Sequence, residues 1–117
     1  MIDRSIELNV KGNKYTINFP NVGEFQNIES MKQVLSKGMY ASLMSTGTVG
    51  SYESLDMIDM ESYMSILCPQ LIKDLKCDNF SKLGLEDYLE LKDIYREKFI
   101  PWWNSILELL QPKKKQE

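Results

Sequence analysis

The chain has 117 residues, 43% hydrophobic and 26% charged, with a net charge of -3 and a sequence pI near 5.0. That length suits one domain with a core of its own, and the acidic balance gives the molecule as a whole no electrostatic reason to seek phosphate backbones or an anionic membrane surface. Histidine is absent, which removes the commonest general base and the commonest metal ligand.

Residues 5–19, SIELNVKGNKYTINF, read as a β-hairpin. Ile6, Leu8 and Val10 alternate with polar residues, as do Tyr15, Ile17 and Phe19, and Gly12-Asn13 stands between the runs as a two-residue turn. Closure on that turn pairs Val10 with Tyr15, Leu8 with Ile17 and Ile6 with Phe19 on one face. A lone ribbon is marginal in water, so this face needs a cover from the following helices or a second copy of the chain.

Pro20 stops the second strand, and Asn21 with Glu24 has the spacing of a capping box. The helix it starts carries Phe25, Ile28, Met31 and Leu35 on one stripe and ends at Gly38. Residues 39–44 have helical composition, and residues 45–51, STGTVGS, read as a surface loop. Residues 54–67 form the next helix, with Asp56, Asp59 and Glu61 toward its start, where the helix dipole favours negative charge. Met57, Met60, Met64 and Leu67 share one stripe of it, while Leu55, Ile58, Tyr63 and Ile66 cover other sides, which makes this helix central. Pro69 breaks it before a short continuation, QLIKDLK.

After a turn at 78–81, residues 85–100 give the longest helical pattern, with Leu85, Tyr88, Leu91, Tyr95 and Phe99 recurring at three and four. Pro101 starts a new helix or kinks the old one, and residues 102–110 are apolar nearly all round. The expected fold is α+β: one domain over residues 1–112, with a hairpin at 5–19 and a bundle of four or five helices at 21–110. A disordered basic tail follows at 113–117.

Several residues invite a chemical reading. Asp56, Asp59 and Glu61 lack the glycine and terminal glutamate of a calcium loop, and as helix-start acids they need no ion. Cys68 and Cys77 fit neither a redox pair nor a zinc knuckle, and both are expected as buried reduced thiols in a reducing cytoplasm. No catalytic residue, metal or cofactor is assigned. No basic segment runs into an apolar stretch at the start, and apolar runs fall far short of the roughly 20 residues that span a bilayer, so neither export nor a membrane partner is expected. Trp102 and Trp103 point about 100° apart on a helix, so they cannot share one stripe, and one of them is expected at a surface. Met57, Met60, Met64, Trp102 and Trp103 are accordingly the candidate partner-binding residues, methionine and tryptophan both being enriched on binding surfaces.

Residues 6–19, IELNVKGNKYTINF, followed by 24–31, EFQNIESM, resemble the opening of small bacteriophage tail assembly chaperones. That family commonly begins with an apolar strand, a Gly-centred turn before an aromatic, a second strand ending in Phe, and an acidic-apolar helix. The likeness covers about the first quarter of the chain, and residues 100–103, IPWW, match no motif of it. It implies a non-enzymatic assembly factor that binds an elongated helical partner, the tape-measure protein. The alternative is a structural or connector subunit that stays in the virion. Self-association into a homo-oligomer is a further expectation, and nucleic acid is not an expected partner.

Overall fold

The computed structural model describes residues 2–76 and 79–111 and shows the α+β arrangement, a two-stranded antiparallel hairpin followed by a helical bundle. The expected thiol at Cys77 and the expected tail at 113–117 lie outside the described residues.

Strands β1 (Ser5–Val10) and β2 (Asn13–Asn18) pair with Ile6 opposite Ile17, Leu8 opposite Tyr15 and Val10 opposite Asn13. This corrects the expected register, because the turn is Lys11-Gly12 rather than Gly12-Asn13. Both turn residues have positive φ, +51° at Lys11 and +82° at Gly12, the combination that matches the twist of a two-residue hairpin, with glycine in its favoured second place. Moving the turn by one residue moves every pairing by two. Since side chains alternate with period two, Leu8, Val10, Tyr15 and Ile17 stay on one buried face. The ladder runs one pair past the strands, where the Phe19 N–H donates to the Arg4 carbonyl at 2.8 Å.

Helix α1 (Val22–Leu35) begins with the expected capping box: the Glu24 N–H donates to Asn21 Oδ1 at 2.7 Å, and the Asn21 N–H donates to Glu24 Oε1 at 3.0 Å. Gly38 takes the left-handed conformation past its end, φ +78°. Helix α2 (Tyr40–Thr46) and helix α3 (Val49–Leu67) then follow almost without interruption, which corrects the expected loop at 45–51. Glycine and hydroxyl residues there act as caps. Gly47 closes α2 in the left-handed region, and Thr48 and Ser51 form a reciprocal capping box that opens α3. With α3 starting at Val49, Asp56, Asp59 and Glu61 fall well past its first turn, so the dipole is not what holds them.

Helix α4 (Pro69–Leu75) carries its proline in the first turn. Helix α5 (Leu85–Ile94) passes through a π-helical turn (Tyr95–Phe99) into helix α6 (Ile100–Leu110), making one long rod. Pro101 sits in the first turn of α6, as a helix start requires. The widened turn before it is closed by the Ile100 N–H on the Tyr95 carbonyl, one residue farther back than in an α-helix.

All these elements except α2, which packs on α3 and contributes no buried residue, share one buried cluster. Tyr63 of α3 has its ring centroid 5.0 Å from those of both Phe99 and Trp103, and Phe99 stacks on Trp103 at 5.4 Å. The hairpin caps this cluster: β1 lies against α5 and the π turn, Lys11 reaches Asp87 of α5 at 2.6 Å, and the Tyr15 hydroxyl donates to Asp74 of α4 at 2.6 Å. No helix among the described residues is long and apolar enough to cross a membrane.

Candidate functional site

The five residues expected to form a partner surface do not form one. Met60 and Met64 are fully buried, Trp103 is 2% exposed and Trp102 7%, and only Met57 keeps a partial edge. The reason lies in how many neighbours α3 and α6 have. Helices α1, α2 and α4 all pack on α3, so its methionine stripe is interior. The two indoles do point in different directions, yet both directions are covered. Trp103 stacks on Phe25 of α1 and tilts against Tyr63, whereas Trp102 meets Phe19 of the hairpin edge-on and donates its indole N–H to the Asp3 carbonyl at 2.8 Å. Packing accounts for these four residues without a second molecule. The edge of Met57 lines a 370 Å³ groove with Phe80, Leu83, Leu85 and Tyr88.

A different apolar surface is open to solvent where the end of β2, the first turn of α1 and the last turn of α6 converge. Phe19, Phe25 and Ile106 floor a groove of 200 Å³, and Val22, Leu109 and Leu110 stand at its rim with 75%, 64% and 60% of their surface exposed. Local sequence builds it. Pro20 ends the ladder and the Asn21–Glu24 cap turns the chain into α1, which sets Val22 beside the end of α6. Sequence reasoning passed over Val22 and treated Leu109 and Leu110 as part of an all-apolar helix. The signal was in that same observation: a helix apolar all round carries more apolar residues than a small core can cover.

The ionisable residues of α3 hold neighbouring elements. Asp56 accepts from Arg96 at 2.7 Å, and Glu53 accepts from Lys92 at 2.5 Å, which keeps the Glu53 carboxyl below its ordinary range. The Tyr40 hydroxyl donates to Asp59 at 2.6 Å, and Lys32 donates to the Tyr63 hydroxyl at 3.3 Å while lying 3.0 Å from Glu29. Burial raises the Asp59 carboxyl, with the Tyr40 bond and Lys32 working against that rise. Burial also raises the Tyr40 and Tyr63 phenols, so both stay neutral at physiological pH, Tyr40 as a donor and Tyr63 as an acceptor. Glu61 is buried and accepts the Phe80 N–H at 2.9 Å; desolvation pushes its carboxyl up, partly offset by that bond. Each acid therefore ties α3 to another part of the chain, which replaces the dipole explanation. Burial likewise raises the Cys68 thiol and keeps it from the nucleophilic thiolate form. Among the described residues no cluster of three or more His, Cys, Asp or Glu could hold a metal ion.

Compared with protein families, with curated proteins and with solved structures, the chain finds no match.

Proposed function

We propose that this protein acts by binding another polypeptide and performs no catalysis, as a phage assembly factor of the tail assembly chaperone type, with the tape-measure protein as its partner. The observation that supports the reading is the open groove rimmed by Val22, Leu109 and Leu110. At 200 Å³ it is smaller than the roughly 300–1,000 Å³ of small-molecule sites and suits one or two side chains of an apolar helix face. The engagement of the α3 acids in bonds between elements points the same way, since these groups have structural tasks. The resemblance of residues 6–19 and 24–31 supplies the phage setting and the elongated helical partner.

Co-expression with tagged helical segments of a tape-measure protein tests this. Co-purification with the parent chain, lost in a Leu109→Ser, Leu110→Ser double variant whose thermal midpoint is unchanged, is the expected result. Absence of co-purification, or retention undiminished by the double variant, overturns it. Recovery of the protein from purified particles would instead mark a virion subunit.

A further inference from the structure

Among the described residues the hairpin is a sheet of two strands, so each strand is an edge. The bond from the Phe19 N–H to the Arg4 carbonyl fixes which backbone groups face which way. Hydrogen-bonded pairs alternate along an antiparallel ladder, so Asn13, Tyr15, Ile17 and Phe19 bond inward to β1, and Lys14, Thr16 and Asn18 direct their N–H and C=O groups outward. The side chains of Lys14, Thr16 and Asn18 are all exposed. Among the described residues no backbone bond from outside the hairpin reaches these three. It is β1 that lies the more closely against α5 and the π turn.

We propose that two copies of this chain pair through the outer edges of β2, joining their hairpins into one four-stranded antiparallel sheet. The sequence of the edge selects the occupant. An antiparallel two-fold contact centred on Thr16 sets Thr16 against Thr16 of the second copy, Lys14 against Asn18, and Asn18 against Lys14. The central pair is β-branched and mutually hydrogen-bonding, and no like charges meet. Three facing pairs with two bonds each give about six backbone hydrogen bonds. A register centred on Lys14 would oppose two ammonium groups. The β1 edge fails the same test, because pairing Ser5 with Asn9 places Glu7 opposite Glu7 of the other copy. The Lys14 ammonium also lies 3.6 Å from Glu7 within its own hairpin, which partly neutralises the charge that would otherwise guard the edge. Because Thr16 meets Thr16 without a one-residue slip, both apolar faces and both helical layers stay on one side of the joined sheet.

This inference rests on the hairpin and not on the groove at Leu109 and Leu110, so the two stand or fall separately. The test is size-exclusion chromatography with light scattering over a wide concentration range on the full chain, Thr16→Lys and Leu110→Ser. A concentration-dependent dimer that Thr16→Lys abolishes and Leu110→Ser preserves is expected, with circular dichroism showing the same helix content in each. Should Thr16→Lys fold poorly, Asn18→Lys, which opposes Lys14 twice per dimer, serves in its place. Thr16→Cys under a mild thiol oxidant should give a covalent dimer absent from the parent and from Asn9→Cys on β1, since Cα atoms of such a pair lie about 5.5 Å apart, within disulfide range. A parent chain that is monomeric at its highest soluble concentration, or a dimer indifferent to Thr16→Lys, overturns the proposal.

Discussion

Replacing Trp103 with alanine separates a core role from a docking role. The indole is 2% exposed and lies at the centre of the aromatic cluster, with ring centroids of Tyr63 at 5.0 Å, Phe99 at 5.4 Å and Phe25 at 6.1 Å. A buried tryptophan removes roughly 150–250 Å² from water, and truncating one to alanine costs about 3–5 kcal/mol once the residual cavity is included. The whole domain, at roughly 0.05–0.15 kcal/mol per residue, is stable by only about 6–18 kcal/mol. One substitution thus removes a large share of the total. With a urea slope of about 1–3 kcal/mol/M for a small protein, the unfolding midpoint should drop by more than about 1 M at unchanged slope. Urea titration followed by far-ultraviolet circular dichroism reads this directly, and the surviving Trp102 gives a second signal by fluorescence. A solvent-facing docking residue would behave differently, shifting stability by no more than about 0.5 kcal/mol while weakening partner binding. A midpoint within error of the parent would therefore refute the packing account of Trp103.

Two more outcomes follow from the polar bonds of α3. The Glu61 carboxyl titrates above its ordinary value of 4.5 because burial disfavours its charge, so between the two values the folded chain holds a proton that the unfolded chain has shed. Its contribution to stability is fully present below 4.5 and is lost as pH rises through the folded value. Glu61→Gln keeps an acceptor for the Phe80 N–H without that titration, so urea midpoints measured from pH 4 to pH 8 should show the variant gaining on the parent as pH rises above about 4.5; a constant difference would contradict this. Tyr40→Phe leaves the half-buried Asp59 without its 2.6 Å donor and should cost about 1 kcal/mol, seen as a lower thermal midpoint and faster amide exchange in α2. Equal exchange rates would show that the bond does not hold α2 in place.

Local chemistry was the most legible part of this chain. The Asn21–Glu24 box, the break at Pro69, the helix start at Pro101 and the alternation of the hairpin follow from short-range rules, and all stand in the structure. What failed were choices between two locally acceptable readings. Lys11-Gly12 and Gly12-Asn13 both suit a tight turn, and both keep the apolar row on one face. The stretch 45–51 is rich in loop-forming residues, but the same glycine and hydroxyls also end one helix and begin the next. The exposed groove and the buried indoles were harder still to foresee. Whether Trp102 or Leu110 ends inside depends on how many neighbours surround each side of α6, and nothing local to that helix records where the hairpin will lie.

The π turn at Tyr95–Phe99 lets the rod absorb one residue without losing its facing. It holds one residue more than a regular turn, and its wider winding keeps the second half of the rod in phase with the first. Regular winding of the same residues would swing Trp102, Trp103 and Ile106 by about 100° out of the interior, whereas deleting one solvent-facing residue there, such as Lys98, lets the turn close regularly with those three still facing inward. Kin of this chain are therefore expected either to keep the widened turn or to lack one residue at it, while the residue count in the regular winding on either side is held constant.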